Sequence, residues 1–136
     1  MHIKQLVVIS MLCAPAALHA QGAPKPVDHD AVYAQCLREA GGARNATVGA
    51  CSQTVAQTAA GEIAQLYGRT HAALAQRERK DAMNFESAHK AWQIYRDNHC
   101  NLASTYIGSP MYNFCPMQMN IARVKELREF AESAAR

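Results

Sequence analysis

The feature that most constrains this chain is the spacing of its cysteines. Beyond residue 20 there are four, Cys36, Cys51, Cys100 and Cys115, and each sequential pair encloses fourteen residues. An even number of cysteines in an exported chain implies a disulfide framework, and four allow three connectivities. The sequential pairing, Cys36–Cys51 and Cys100–Cys115, is expected. On chain-entropy grounds, closing a loop of this length stabilises a fold by about 3 kcal/mol, a useful amount for a small core. The rival reading of four cysteines is a zinc site, which normally shows closely spaced Cys-x-x-Cys ligands. That pattern is missing here, and no metal site is predicted.

Export is read from the first twenty residues. Lys4 is a lone basic charge, Leu6 to Leu12 form a short apolar run, and Ala14 to Ala20 are mostly small residues broken by Pro15. This is the layout of a secretory signal peptide, with cleavage expected after Ala20. The run is far shorter than the ~20 residues needed to cross a bilayer, so no membrane anchor is expected after cleavage. Met11 and Leu12 before the fifth cysteine, Cys13, do not suit lipoprotein processing, which wants small residues there. Residues 21–29 carry Pro24 and Pro26 without apolar periodicity and are expected to be a flexible mature N-terminus, leaving 30–136 as one domain.

Within that domain the apolar residues recur at helical spacing. A short helix is predicted from Asp30 through Val32, Tyr33 and Leu37, stopped by Gly41 and Gly42, which tolerate a left-handed helix end. Asn45 is the expected N-cap of a long second helix carrying Val48, Cys51, Val55, Ala59, Ile63, Leu66 and Leu74 on one side. Gly61 and Gly68 weaken it. Arg77 to Asp81 is a charged turn in which Asp81 can cap a third helix, with Phe85, Ala88, Trp92, Tyr95, His99 and Leu102 as its apolar face. Gly108, Ser109 and Pro110 end it. A last helix carries Ile121, Val124, Leu127, Phe130 and Ala131, with Pro110 or Pro116 in its first turn. The predicted fold is all-α: an antiparallel three-helix bundle with a short leading helix, stapled by two disulfides at the end away from the Arg77–Asp81 turn.

The segment Ala88-His89-Lys90-Ala91-Trp92-Gln93-Ile94-Tyr95-Arg96-Asp97-Asn98-His99-Cys100 resembles the signature of the LprI-type lysozyme inhibitor domain, in which a helical tryptophan precedes Tyr-Arg-Asp and then a cysteine. Gly108-Ser109, Cys115 and the stretch from Arg123 to Leu127 follow in the family's order, so the resemblance covers roughly residues 36–131. Ile63-Ala64 and Ile107-Gly108 stand where the family often has Leu-Asn and Gly-Gly. The resemblance implies a helical, disulfide-stapled binding protein of the periplasm, or one released from the cell, that inhibits a lysozyme or related peptidoglycan hydrolase. A general envelope interaction module, or a toxin-neutralising protein without lysozyme activity, is the alternative.

Residues are assigned by weighing packing against function. Trp92 is expected in the core. Arg96, four positions on, is expected to lay its stem over Trp92 and pair with an acid such as Glu62, while Asp97 is rotated away. Tyr95 completes the signature. Glu62, Glu78 and Glu86 read as solvated helix charges. The candidate partner-binding segment is Thr105 to Phe114, with Tyr106, Gly108, Ser109, Met111, Tyr112 and Asn113 as contact residues: a turn tethered between Cys100 and Cys115 loses less entropy on binding, and rigid aromatics are enriched at binding hot spots. Its aromatics can equally plug the open end of the bundle.

No catalytic residue and no cofactor are predicted. There is no Gly-x-Ser-x-Gly elbow, the cysteines are committed, and Ser109 has no identifiable base. His29, His71, His89 and His99 are not spaced by three or four as ligands on one helix face. With Lys4 removed, 13 basic residues stand against 11 acidic ones, a formal charge of +2. They are scattered among one another, so no nucleic acid partner is expected. The expected partner is a protein, recognised by local fit rather than by long-range attraction.

Overall fold

The computed structural model describes residues 25–134 and Arg136, and in these the chain is helical. The leader expected over residues 1–20 and residues 21–24 of the expected flexible tail lie outside the described residues. Four helices follow in order: α1 His29–Glu39, α2 Asn45–Arg77, α3 Arg79–Tyr106 and α4 Met111–Ala134.

Each boundary has a local cause. The Asp28 carboxylate accepts from the Ala31 N–H at 3.0 Å and starts α1, and the helix stops where Gly41 and Gly42 take φ of 77° and 103°, in the left-handed region that costs glycine little. The cap of α2 differs from expectation. Arg44 occupies the N-cap in extended backbone, and Asn45 is already helical. Thr47 supplies the side chain, its hydroxyl oxygen accepting from the Arg44 N–H at 2.9 Å. The turn between α2 and α3 also differs. It narrows to one extended residue, Glu78, whose carboxylate accepts from the Lys80 N–H, while Asp81 sits in the first turn of α3. Pro110 precedes α4, and Pro116 lies inside it rather than in its first turn.

Both disulfides are the sequential ones: Cys36–Cys51 ties α1 to α2, and Cys100–Cys115 ties the end of α3 to the start of α4, with Cα separations of 5.8 and 5.4 Å. Helices α2, α3 and α4 pack against one another, most extensively α2 with α4. The α2–α4 register is marked by side chains. Asn113 donates to the Gly49 carbonyl, Asn120 to the Ala56 carbonyl, and Arg128 to the Glu62 carboxylate. Small residues on α2 let α4 approach its backbone, and Val55, Met117 and Ile121 close the space beside them. Helix α3 meets the others in reverse order, with Tyr67 against His89 and His71 against Glu86, then Arg96 against Asn120 and Phe85 against Phe130. The largest apolar cluster is Ala59, Ile63, Leu66, Phe85, Val124 and Leu127.

The face of α3 that turns inward is not the predicted one. Phe85 is buried and Trp92 half-buried, but Ala88, Tyr95, His99 and Leu102 are exposed, and Ala82, His89, Cys100 and Ala103 are buried instead. The helix is rotated because polar groups take part in its packing.

A second polar tie closes the molecule at α1. His29, only 5% exposed, places Nε2 2.8 Å from the Glu62 carboxylate, which also receives Arg128. Arg128 reaches the Val27 carbonyl as well, and Lys125 pairs with Asp30. The tail expected to be flexible to residue 29 is therefore fastened at residues 27–29. Glu62 is not a freely solvated charge: burial alone would raise its pKa, but the hydrogen bonds and charges of Arg128 and His29 together outweigh burial and hold it below the ordinary carboxylate value.

Candidate functional site

The segment from Thr105 to Phe114 joins α3 to α4 and lies beside the Cys100–Cys115 disulfide. Gly108, at φ 88°, makes the reversal, and the Met111 N–H bonds back to the Gly108 carbonyl at 2.9 Å. The Phe114 N–H bonds to the Pro110 carbonyl, opening α4. The turn is held by backbone hydrogen bonds on one side and a covalent bridge on the other.

The aromatic and apolar residues of this segment divide into two sets. Tyr106 and Tyr112 are 82% and 76% exposed, so neither ring plugs the bundle. Phe114 does: it packs on the Val55, Met117 and Ile121 cluster and lies 6.0 Å from the Tyr33 ring. Met111 packs against Cys100, Ala103 and Cys115. Ser109 is exposed and Gly108 half-buried. Asn113 is half-buried, and its amide N–H is used inside the protein, on the Gly49 carbonyl at 3.1 Å. Of the six candidate contact residues, Tyr106, Ser109 and Tyr112 are exposed, whereas Met111 and Asn113 position the turn. One outward residue was not anticipated, Ile107, at 72% exposure. Its only sequence signal is an aliphatic side chain directly before the glycine of a turn.

Tyr112 lines a shallow hollow of about 360 Å³ together with Asp97, Cys100, Asn101, Ser104, Asn113 and Pro116. The signature residues pack midway along α3, where Trp92 lies against the Phe85, Val124 and Leu127 cluster. Two guanidinium groups lie over the Trp92 ring, Arg96 at 5.1 Å and Arg123 at 5.2 Å from its centre, where each cation is attracted to the electron-rich indole. Arg96 covers Trp92 as expected but pairs with Asp97, at 2.7 Å, rather than with Glu62. It also donates to the Asn120 side-chain oxygen, and the Asn120 amide donates in turn to the Ala56 carbonyl. One chain of hydrogen bonds thus runs from α3 through α4 to α2. His89 stacks between Tyr67 and Trp92 at 4.4 and 5.8 Å. Burial pushes its pKa below the ordinary value, with the positive charges of Arg123 and Arg96 acting in the same direction. Tyr95 takes no part in this network. It is 58% exposed and, among the described residues, stacks on His99 alone.

At the other end, a groove of about 410 Å³ between α3 and α4 is lined by Phe85, Ala88, Leu127 and Phe130, with Asp81, Glu126 and Arg123 beside them. Arg123 is paired with Glu126 at 2.8 Å. Among the described residues, no three of His, Cys, Asp and Glu gather as a metal-binding set. No helix there is long and apolar enough to cross a membrane.

A family model described as lysozyme inhibitor LprI matches residues 31–127. Neither the curated proteins nor the solved structures contain a match.

Proposed function

The chain belongs to the LprI lysozyme inhibitor family, and from that premise we propose that it is an exported binding protein that blocks the substrate cleft of a lysozyme or related peptidoglycan hydrolase with the segment Thr105–Phe114. The observation that carries this reading is the outward display of Tyr106, Ile107 and Tyr112 on a turn closed by the Cys100–Cys115 disulfide. Exposed aromatic side chains on a held backbone bind with little ordering cost.

The scaffold behind the turn we read as an antiparallel bundle of α2, α3 and α4 with α1 laid on α2. Glycoside cleavage uses two carboxylates flanking the scissile bond, so a wedge that fills the cleft excludes substrate without chemistry of its own. Ser109, exposed at the tip, is the hydroxyl that can donate to such a carboxylate. Asn113 already commits one of its two amide N–H groups to the Gly49 carbonyl and is half-buried, which leaves Ser109 the more accessible donor. On this reading the protein is no enzyme, and its two disulfides suit the oxidising periplasm to which a signal peptide would deliver it.

The test is a peptidoglycan turbidity assay of the oxidised protein, lacking residues 1–20, against c-type, g-type and i-type lysozymes. Dose-dependent inhibition, lost with Tyr106→Ala/Tyr112→Ala, is the expected result. Well-folded protein that slows none of the three would overturn the inhibitor reading and favour another envelope protein as partner.

A further inference from the structure

We propose that the hollow between the end of α3 and the start of α4 is a saccharide-binding site that takes roughly one or two rings of a neutral sugar chain. The inference goes beyond the inhibitor reading and does not depend on it, although Tyr112 belongs to both. Asp97, Asn101 and Ser104 follow one another at four and three residues and so share one flank of α3. Tyr112, Asn113 and Pro116 of α4 form the other wall, with buried Cys100 between the two. The bond from Cys100 to Cys115 holds the helices at a Cα separation of 5.4 Å, so the walls are in place before anything binds. At about 360 Å³ the hollow lies at the small end of ligand sites.

The lining selects a ligand by its hydrogen-bonding capacity. Asn101 accepts from Ser104 and Thr105 through its backbone carbonyl, and its side-chain amide has no partner among the described residues. Asn113 keeps one N–H and its side-chain oxygen beyond the bond to Gly49. Asp97 receives Arg96 on Oδ1, which leaves Oδ2 to accept. Ser104 donates to the Asn101 carbonyl and can still accept on its oxygen. Donors and acceptors thus stand side by side, the complement of a hydroxyl group, which both donates and accepts.

Charge and the aromatic ring narrow the class further. The residues lining the hollow include no lysine or arginine, and Asp97 is already paired with Arg96. A phosphate or carboxylate therefore finds no cation there, and a cationic ligand finds no carboxylate to itself. A purely apolar ligand would strip water from the unbonded amides without replacing its hydrogen bonds. Tyr112, 76% exposed, adds an aromatic ring to the lining. A sugar ring carries hydroxyls around its rim and C–H groups on its faces, so it can lay a face on the tyrosine while its rim reaches the amides and the carboxylate.

The test is a titration of isotope-labelled, oxidised protein with soluble tetramers of N-acetylglucosamine, glucose and galacturonate, followed through the amide shifts in NMR. The expected result is saturable movement of the Asp97, Asn101, Ser104, Tyr112 and Asn113 amides with a neutral tetramer, at a Kd on the order of 1 mM as suits a shallow site, and weaker binding of galacturonate. Binding of the N-acetylated tetramer alone would assign the site to the sugars of peptidoglycan, and binding of the glucose tetramer to neutral polysaccharide more broadly. Asn101→Ala, outside the segment Thr105–Phe114, and Tyr112→Ala should each raise that Kd by about fivefold or more, whereas Met83→Ala, exposed elsewhere on α3, should leave it unchanged. Circular dichroism would establish that each variant is folded. The proposal is overturned if neither neutral tetramer moves these amides at about 20 mM, if the shifts fall elsewhere, if galacturonate binds as tightly, or if Asn101→Ala and Tyr112→Ala bind as the native protein does. No lysozyme enters the titration, so its failure leaves the inhibitor reading standing, and a turbidity assay without inhibition leaves the saccharide site standing.

Discussion

Gly61 and Gly68 lie inside α2, where a glycine gives up the most backbone freedom on folding and fills no space. A Cβ added at either position meets nothing within 4 Å. Gly61→Ala and Gly68→Ala should each raise stability by about 1 kcal/mol, read as a higher urea midpoint with an unchanged slope. A loss at either site would mean that the helix surface does not accommodate the added methyl group. His89 makes a prediction of opposite sign. Burial, with the charges of Arg123 and Arg96, holds its folded pKa below the ordinary histidine value of about 6.5, so the unfolded chain takes up the proton first as pH falls. Stability is complete above about pH 6.5 and declines as pH drops below it. His89→Phe, which keeps a ring against Tyr67 and Trp92, should remove that part of the slope, leaving the loss below pH 4.5 to which Glu62 contributes. Denaturation series at pH 7.5, 6.0 and 5.0 would show the difference, and identical slopes in the two proteins would refute it.

At the level of elements, the docking of α4 on α2 is fixed by two asparagines one heptad apart, Asn113 and Asn120, each donating to a carbonyl of α2. They are not equivalent. Asn120 is 3% exposed and also receives Arg96, whereas Asn113 is half-buried at the rim. Removing a buried partner strands the groups it served, at a cost of about 1–3 kcal/mol. Asn120→Ala should therefore fall in the upper part of that range, and Asn113→Ala near 1 kcal/mol or below, by chemical denaturation. Equal effects would show that Arg96 finds another acceptor. The same residues explain what was legible in the sequence. Helix ends written in glycine and proline, at Gly41-Gly42 and Gly108-Ser109-Pro110, were readable because their backbone requirements are local. The inward face of α3 was not, since apolar spacing counts Tyr95 and Leu102 as core and passes over His89. Arg96 over Trp92 was legible from their spacing of four, whereas Arg123, which also lies over that ring, comes from α4 and leaves no mark along α3. The turn was recognised as the candidate site, but its division into outward Tyr106 and Tyr112 and inward Phe114 depends on where α1 brings Tyr33.

Across the whole molecule the two disulfides enclose loops of equal length and so should stabilise the fold about equally, by about 3 kcal/mol each on the chain-entropy model. Their positions give them different consequences. Cys36–Cys51 holds α1, which His29, Asp30 and Val27 also fasten through Glu62, Lys125 and Arg128. Cys100–Cys115 closes the turn that displays Tyr106, Ile107 and Tyr112, where the backbone hydrogen bonds span only a few residues. Replacing Cys36 and Cys51 by serine should therefore lower the melting temperature and loosen the amides of α1 in hydrogen exchange, with partner affinity nearly unchanged. Replacing Cys100 and Cys115 should lower the melting temperature by a similar amount and weaken binding at least tenfold, because the freed turn has to be ordered again each time it binds. Both pairs are measured well below their own melting temperatures, so that lost affinity is not lost fold. If the two replacements weaken binding equally, the disulfides act only through global stability and the turn owes its shape to its hydrogen bonds alone.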